Sequence, residues 1–195
     1  VSASAVRKPI WPVTRTRVAL AYSGGLESSA AVVWLKDQGA EVVAVTLDLG
    51  QRHDLEAVRD RALALGAVRA HVLDRRETFA RDIVLRSLAA DALYEHRAPM
   101  ASALARPLVA RTLVEIAGIE HATALAHAGG AQGRPVALDR LLLAIAPSLP
   151  VMTPAREWGM TRERLEDYLR ARRLPMPPGA ALHCHAESNL WGRSL

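Results

Sequence analysis

Near-continuous apolar segments alternate with segments of helical periodicity along most of this 195-residue chain. Apolar segments suited to strands occur at residues 17–22, 41–49, 69–73, 122–127 and 150–153. Strands that are apolar at every position are buried on both faces, which is typical of a parallel sheet covered by helices on each side. The alternation therefore predicts an α/β fold, a Rossmann-like doubly wound parallel sheet of about five strands.

Capping signals mark two of the helices that connect these strands. Asp54 stands where an N-cap is expected, apolar residues follow it at helical spacing, and Gly66 stands where that helix should end. Thr161 is expected to cap an amphipathic helix that ends at about Arg173. These signals predict helices on the outside of the sheet.

Two further helical segments have less regular boundaries. One is predicted from about residue 28 to residue 37, shortly after the first strand. The other covers about residues 77–118 and contains Pro99 and Pro107. Interruptions are expected near both prolines, because proline lacks the backbone N–H that a helix interior needs.

The periodic pattern is weak at both ends of the chain. Residues 1–15 contain two prolines and no apolar period, and they are interpreted as an N-terminal extension. Residues 16–174 are interpreted as one domain, a length that suits a compact unit with its own core. Residues 175–195 begin with three prolines in four positions and are expected to form a tail outside the core.

Composition argues against several classes of protein. Half of the residues are hydrophobic, so disorder is not expected. No apolar run approaches the ~20 residues of a membrane span, and we expect a soluble, cytoplasmic protein. The single cysteine excludes an internal disulfide framework. The net charge is +5, but acidic and basic residues are interleaved and aromatic residues make up only 4%, which argues against a nucleic-acid partner.

Small and hydroxylated residues are concentrated in "AYSGGLESS", residues 21–29, where the first strand ends. Ligands of parallel sheets bind beyond the carboxyl ends of the strands, and glycines there let backbone N–H groups approach an anion. Serine hydroxyls and the N-terminus of the next helix add further donors, so the segment predicts a phosphate cradle. It has neither the Walker ending nor the GxGxxG pattern.

An acidic residue, Glu27, stands among these donors. A carboxylate at this place is explained if it helps to hold Mg²⁺, which in turn bridges phosphate oxygens. The alternative interpretation of the whole segment is a helix N-terminus rich in small residues that binds nothing.

Several strings of the chain together resemble a known family. "AYSGGLESS" is similar to the S-G-G-x-D-S/T-S loop of ATP pyrophosphatases. "EVVAVTLDLGQ", "DALYEHRAPMASALARPLVARTLVEIA", "APSLPVMTPAREW" and "NLWGRS" resemble strings of argininosuccinate synthases, in the same order. The resemblance covers about residues 17–195. It implies that residues 16–174 form an ATP-pyrophosphatase-type nucleotide-binding domain with an adenine nucleotide alpha-hydrolase-like fold.

Enzymes of this family adenylate the ureido oxygen of citrulline with ATP, release pyrophosphate, and let the amine of aspartate displace AMP. The resemblance therefore implies ATP and Mg²⁺ as cofactors, with Glu27 as metal ligand and catalytic residue. Tyr94 and Ser102 align with citrulline-contacting residues of the family. The implied nucleotide site consists of Ala21, Tyr22, Ser23, Gly24, Gly25, Leu26, Ser28, Ser29, Leu47 and Gly129.

Two departures from the family change the expected site. Glu27 replaces the aspartate of the loop, which keeps the charge but adds a methylene group. The family's amino-acid-binding loop, H-G-x-T-G-K-G-N-D-Q-x-R-F-E, is here "HAGGAQGRPVALD", residues 127–139. A site that hydrogen-bonds polar substrate groups loses discrimination of ~10⁴ when those partners vanish. A different acceptor is therefore expected, with Arg134 as the candidate replacement charge.

The family continues beyond the counterpart of Leu195 for roughly as long again, into a domain that completes the citrulline site and builds the tetramer. This chain is accordingly not interpreted as an ordinary argininosuccinate synthase. Cys184 stands between two histidines shortly before "NLWGRS", a setting that lowers a thiol pKa. It is a candidate catalytic nucleophile or sulfur carrier, and the alternative is an incidental cysteine in a proline-rich tail.

Three hypotheses for function follow. The lead hypothesis is an AMP- and pyrophosphate-forming enzyme that adenylates a carbonyl or ureido oxygen of a small molecule for attack by a nitrogen nucleophile. The second is an ATP-dependent sulfur-transfer enzyme that uses Cys184. The third is a non-catalytic nucleotide- or partner-binding subunit. A homo-oligomer or a partner chain is expected, because removal of the family's second domain would expose an apolar face.

Overall fold

The computed structural model of the protein describes residues 16–51, 54–129, 137–159, 161–177 and 187–194. Strands and helices alternate along most of this part of the chain. In chain order the elements are β1 (Arg17–Ala21), α1 (Leu26–Asp37), β2 (Glu41–Asp48), α2 (Leu55–Leu65), β3 (Arg69–Asp74), α3 (Arg76–Phe79), a π-helical turn (Ala80–Val84), α4 (Leu85–Ala89), β4 (Leu93–Tyr94), β5 (Ala98–Pro99), α5 (Ala101–Ile119), β6 (Ala124–His127), α6 (Ala137–Ile145), β7 (Val151–Met152), α7 (Pro154–Trp158), α8 (Arg162–Ala171), β8 (Glu187–Ser188) and β9 (Arg193–Ser194).

A five-stranded parallel sheet forms the centre of the fold. Its strand order is β3-β2-β1-β6-β7, and each neighbouring pair is parallel. β1 lies in the middle, and its residues Val18, Ala19 and Leu20 have no exposed surface. The five predicted strands occur where the apolar segments placed them. The predicted α/β fold with a doubly wound sheet is therefore confirmed.

Helices cover both faces of the sheet, as strands that are apolar on both sides require. α1, α2 and α8 contribute to the core on one face, where Trp34 and Leu169 are buried. α5 and α6 contribute to the core on the other face, together with Phe79 at the end of α3. Alternate residues of β1 belong to opposite cores, because successive side chains of a strand point to opposite faces.

The capping predictions are confirmed. Asp54 Oδ1 accepts a hydrogen bond from the backbone N–H of Ala57 at 3.0 Å, and Gly66 ends α2 with a φ of +106°. Thr161 Oγ1 accepts a hydrogen bond from the N–H of Arg164 at 3.5 Å at the start of α8. α1 begins two residues earlier than predicted, so more of the glycine- and serine-rich segment is helical.

The predicted interruption at Pro107 is wrong, because α5 runs through this residue. A proline inside a helix costs about 3 kcal/mol. Leu108, Leu113 and Ile116 of the same helix are buried, and each large apolar side chain contributes about 1.5–3 kcal/mol when it is buried. Tertiary burial therefore outweighs the missing backbone hydrogen bond. Although α5 is long and apolar, none of the described helices meets the length and hydropathy that crossing a bilayer requires.

The predicted interruption near Pro99 is confirmed. The helical segment that begins at Arg76 ends at Ala89, and the antiparallel pair β4 and β5 precedes α5. Leu93 pairs with Pro99, and Tyr94 pairs with Ala98. The hairpin therefore places Tyr94 close in space to the start of α5.

The expectation that the tail lies outside the core is wrong for several of its described residues. Met176 packs against the core on the α1 face, and Trp191 packs against the core on the α5 face. The backbone N–H of Leu190 donates to Leu49 O at 2.8 Å, and Asn189 Nδ2 donates to Ala101 O at 2.8 Å. A segment without periodicity is held here by one backbone hydrogen bond, one side-chain hydrogen bond and the packing of Met176 and Trp191.

A buried carboxylate connects the end of α5 to the first residues of β1 and β3, at the amino-terminal end of the sheet. Glu120 follows α5 and is only 4% exposed, and its Oε1 lies 2.8 Å from His71 Nε2 and 3.2 Å from Arg69 Nη1. Arg17 Nη1 lies 3.7 Å from Oε2. Burial raises the pKa of Glu120, but the His71 hydrogen bond and the Arg69 charge outweigh burial, so its pKa lies below the ordinary value.

Glu120→Gln should lower the free energy of unfolding at pH 7 by about 1–2 kcal/mol, since it removes the charged partner of His71 and two arginines. A carboxyl with a depressed folded pKa stabilises the fold above its unfolded pKa of 4.5 and loses this contribution as the pH falls through the folded value. Urea unfolding at pH 7 and pH 4 should therefore show a smaller difference at pH 4. Glu115→Gln, an exposed glutamate of the same helix, is the control, and an equal loss there would contradict the role of burial.

Candidate functional site

The strand order places a crevice at the carboxyl ends of β1 and β6. From β1 the chain proceeds to β2 and β3 on one side, and it later returns to β6 on the other side. Ala21, the last residue of β1, pairs with His127, the last residue of β6. Reversal of the strand order between two such neighbours creates the crevice in which open α/β sheets bind ligands. The glycine- and serine-rich loop begins directly after Ala21.

The loop ends in an N-terminus of α1 that no side chain caps. Gly25 is the N-cap residue and makes no side-chain hydrogen bond to the helix, and Gly24 before it has a φ of +76°. The first N–H groups of a helix have no partner within the helix, and they carry the positive end of its dipole. Since α1 begins at the crevice, these groups lie where the predicted phosphate cradle requires them.

Serine hydroxyls hold the loop in shape. Ser28 Oγ donates to Gly25 O at 3.1 Å and lies 3.2 Å from Ser23 Oγ. The backbone N–H of Gly25 points to Ser23 Oγ at 3.4 Å. Ser23 is exposed, whereas Ser28 is buried. Hydrogen bonds among its own residues therefore fix the shape of the loop.

Other predicted residues of this segment lie beneath the loop. Ser29 has no exposed surface, and its Oγ lies 3.2 Å from the hydroxyl of Tyr22, so its side chain faces the core. Thr46 Oγ1 donates to Tyr22 O at 2.9 Å. Burial raises the pKa of Tyr22, and the Ser29 hydrogen bond offsets this only in part. With the buried Leu26, these side chains support the loop, and only their backbone can reach a ligand.

Gly24 is held tightly against α2. A Cβ at this position would lie 3.0 Å and 3.1 Å from the two methyl carbons of Val58. Arg61 Nη1 donates to Gly24 O at 3.2 Å. The left-handed backbone and the lack of space both require glycine here.

Glu27, the predicted metal ligand, lies in the first turn of α1 and is partly buried. Among the residues that the structure describes, no group of three or more His, Cys, Asp or Glu side chains is placed to hold a metal ion. Mg²⁺ is commonly held by one or two carboxylates together with substrate phosphates and water, and the role of Glu27 in such a site stays a prediction.

The end of β2 forms a turn that its own side chains close. The N–H of Gly50 donates to Asp48 Oδ1 at 2.9 Å, and Gln51 Nε2 donates to Leu47 O at 2.7 Å. Leu47, predicted to lie near adenine, is buried in the core on the α5 face. The side chain of Leu190 lies so close to Gly50 that a Cβ there would be 2.7 Å from Leu190 Cδ2. The strings "DLGQ" and "NLWGRS" are thus in direct contact.

The remaining predicted site residues have different outcomes. Tyr94 is 60% exposed on the hairpin, and Ser102 in the first turn of α5 accepts a hydrogen bond from Arg106 Nη2 at 3.1 Å. The N–H of Gly129 donates to His127 Nδ1 at 3.2 Å. Arg134 and Cys184 lie outside the described residues, and both remain predictions from the sequence alone.

Reasoning from the sequence missed a hydrogen-bonded group of three side chains that begins at His127, beside the crevice. His127 Nε2–H donates to Asp139 Oδ1, and Asp139 Oδ2 accepts a hydrogen bond from Arg156 Nη2. Burial lowers the pKa of His127, although Asp139 acts against this effect, so the imidazole is neutral at pH 7. Burial raises the pKa of Asp139, but the hydrogen bonds from Arg156 and His127 lower this pKa by more. The pKa of Asp139 therefore lies below its ordinary value, and the carboxylate is ionised.

A cavity of about 380 Å³ lies elsewhere, between α3 and α5. Arg75, Thr78 and Arg111 are among the residues that line it. None of the site residues predicted from the sequence belongs to its lining. The cavity therefore does not bear on the assignment of the crevice.

Gly24→Ala should lower the free energy of unfolding by about 2–4 kcal/mol, because a left-handed backbone and overpacking against Val58 act together. Gly39→Ala is the matched control, since Gly39 has a φ of +89° but a Cβ there would meet nothing within 4 Å. The free energy of unfolding of this control should fall by only about 1 kcal/mol. Guanidinium unfolding of both variants measures the difference, and equal losses would show that contact with Val58 is unimportant.

Comparison with known proteins assigns the family. A family model described as "Arginosuccinate synthase N-terminal HUP domain" matches residues 17–175. The argininosuccinate synthase of Dehalococcoides mccartyi is 43% identical over 181 residues, which are 92% of this chain and 45% of that protein. Those of Shouchella clausii and Streptococcus thermophilus are 42% and 43% identical over 183 residues. The chain thus spans about half the length of these relatives.

A solved structure agrees on the fold. The crystal structure of a predicted subunit of tRNA methyltransferase from Methanocaldococcus jannaschii covers 92% of this chain with a TM-score of 0.50 and 16% identity. At that identity the similarity concerns the fold alone. With the family match over most of the chain and relatives above 40% identity, the chain belongs to the argininosuccinate synthase family and corresponds to its N-terminal HUP domain.

Proposed function

We propose that this chain is an ATP- and Mg²⁺-dependent enzyme that forms AMP and pyrophosphate. It adenylates a carbonyl or ureido oxygen of a small molecule, and a nitrogen nucleophile then attacks the adenylate. The observation that carries the proposal is the preformed loop of Ser23, Gly24 and Gly25 at the uncapped N-terminus of α1, placed at the switch point of the sheet. Membership of the argininosuccinate synthase family supports the same reaction class.

The loop supplies the phosphate site. Backbone N–H groups at the start of α1 and the hydroxyl of Ser23 donate to the β- and γ-phosphates of ATP, while Ser28, whose hydroxyl donates to Gly25 O, holds the loop around them. The turn after Leu47 lies on the β2 side of the crevice, where the adenine is proposed to bind, and Gly129 lies on the β6 side. Ser29, Tyr22 and Leu26 act from below by fixing the loop.

The chemistry needs no side-chain nucleophile. The acceptor oxygen attacks the α-phosphorus of ATP, the bond to the β-phosphate oxygen breaks, and pyrophosphate leaves. The lone pair of the nitrogen nucleophile then forms a bond to the activated carbon, and AMP leaves with the acceptor oxygen. The protein contributes by holding the reactants in line and by stabilising the negative charge on the pyrophosphate.

Glu27 is the residue of this chain that fits a magnesium site. It lies in the first turn of α1, the same turn that supplies the proposed phosphate donors. Mg²⁺ bound there would neutralise charge on the phosphate oxygens. Glu27 holds the ion in position, and its negative charge is tolerated at a helix N-terminus because of the helix dipole.

The acceptor is proposed to differ from citrulline. Tyr94 and Ser102 remain as candidate contacts near the β4–β5 hairpin, but residues 127–139 lack the polar side chains of the family's amino-acid loop. Arg134 is the proposed replacement charge. The substrate is therefore a small molecule that shares the reacting group of the family's acceptor and not its other polar groups.

Contact with a second copy or a partner chain is also proposed. Leu85 and Leu88 of α4 are 60% and 61% exposed, and Tyr94 on the hairpin that follows is 60% exposed. Large apolar side chains that are exposed close together in the sequence are typical of an interaction surface.

Release of pyrophosphate from Mg-ATP tests the proposed reaction. The assay uses pools of ureido compounds, amino acids and carboxylates, each with ammonia or sulfide as the nucleophile. We expect pyrophosphate with one pool, and a double variant with Gly24→Val and Gly25→Val should abolish it. Activity that survives in that variant would show that the cradle is misassigned, and a requirement for sulfide would favour the thiolation hypothesis.

Glu27→Gln should weaken the binding of Mg-ATP by about tenfold, which corresponds to about 1.4 kcal/mol. Binding of ATP without magnesium should be unchanged or tighter, because the variant removes a negative charge next to the phosphates. Isothermal titration with and without Mg²⁺ separates the two effects. Glu163→Gln, which changes a first-turn glutamate of α8, is the matched control and should alter neither affinity.

A further inference from the structure

His127, Asp139 and Arg156 form a continuous hydrogen-bonded relay across three elements. Arg156 in α7 donates to Asp139 in α6, and His127 at the end of β6 donates to the other oxygen of the same carboxylate. The second nitrogen of His127 accepts the N–H of Gly129 at 3.2 Å. Both nitrogens of the imidazole are therefore engaged, which fixes one neutral tautomer with the proton on Nε2.

The relay is largely buried at His127 and Asp139 and reaches the surface at Arg156. The side chains of His127 and Asp139 are 6% and 15% exposed, and that of Arg156 is 36% exposed. Charges of this kind are costly to bury unless they are paired with good geometry. Here one carboxylate satisfies a guanidinium and an imidazole at once. The relay thereby connects the end of β6 to α6 and to α7, the helix that follows β7.

The position of the relay connects it to the crevice. His127 pairs with Ala21, the residue directly before the phosphate loop. Gly129 and Asp139 lie on the two sides of the segment 130–136, which holds the substituted part of the family's amino-acid loop. The hydrogen bond between His127 and Asp139 therefore joins the end of β6 to the start of α6, close to the loop that follows Ala21.

We propose that Asp139 is a positioning residue, which acts through His127 to hold the backbone at Gly129 against the bound nucleotide. This inference rests on the proposed function, because it assumes that Mg-ATP occupies the crevice. Asp139 itself does not touch the ligand. Its role is to fix the imidazole, whose Nδ1 in turn fixes the backbone at Gly129.

A double-mutant cycle tests the relay with Mg-ATP as the titrant. Asp139→Asn removes the charge that holds His127 and Arg156. His127→Asn keeps an oxygen near the place of Nδ1, which can accept the Gly129 N–H, but it cannot reach Asp139. Each single variant should raise the Kd for Mg-ATP about tenfold, and the double variant should be no worse than either, because residues that act in one network are not additive.

Two controls accompany the cycle. Asp139→Glu keeps the carboxylate and should restore the Kd to within about threefold of the wild-type value. Asp167→Asn changes an exposed carboxylate of α8 and should leave the Kd unchanged. In the wild-type protein, the ring ¹⁵N signals of His127 should show the Nε2–H tautomer and shift when Mg-ATP binds, a measurement that needs no variant to fold.

The outcomes separate this inference from the proposed function. If the wild-type protein does not bind Mg-ATP, the proposed function fails and the inference fails with it. Wild-type binding together with unchanged affinity in Asp139→Asn, or additive losses in the double variant, overturns the inference alone. His127 ring signals that do not respond to saturating Mg-ATP overturn it as well.

Discussion

The central position of β1 is the constraint on which the rest of the structure depends. This strand pairs in parallel with β2 on one side and with β6 on the other. Parallel neighbours cannot be joined by a tight hairpin, so the chain leaves β1 through α1 and returns to β6 through α5, on the opposite face. The loops after β1 and β6 consequently run apart. The crevice between them is a result of connectivity, before any side chain is considered.

The N-terminus of α1 differs from the N-termini of α2 and α8 in how it is capped. α2 begins with Asp54 and α8 begins with Thr161, and each of these side chains accepts a hydrogen bond from the first turn. A cap of this kind contributes about 1 kcal/mol. α1 begins with Gly25 and has no such acceptor, although serines lie on either side of it. The first N–H groups of α1 therefore have no side-chain cap, as the proposed phosphate site requires, although α5 and α7 also begin without one.

Local signals account for the part of the structure that could be predicted from the sequence. Apolar runs placed the strands, and Asp54 and Gly66 placed the ends of α2, because these features act over a few neighbouring residues. The continuation of α5 through Pro107 could not be predicted in this way. It depends on burial of Leu113 and Ile116 against strands that are distant in the sequence. Intrinsic propensity is a weak guide where tertiary packing decides.

The same distinction holds for the candidate site. The phosphate loop is a contiguous string, and its place at the end of a strand could be inferred from the sequence. The relay consists of residues separated by 12 and 17 positions, and each of them alone resembles an ordinary surface or core residue. Leu190 and Trp191 were likewise assigned to a tail, since nothing in their own segment indicates that it docks on the end of β2. This part of the site depends on contacts between segments that are distant in the sequence, and local sequence patterns do not indicate such contacts.

The proposed division of the site explains how one fold can accept a new substrate. The members of the relay lie on β6, α6 and α7, outside segment 130–136, so substitutions within that segment leave its anchors in place. The phosphate loop and the end of β2 are likewise independent of it. A site that is built on rigid elements tolerates variation in the connections between them. On this proposal, the acceptor of this chain differs through substitutions in one connection, while the sheet and the proposed nucleotide site stay the same.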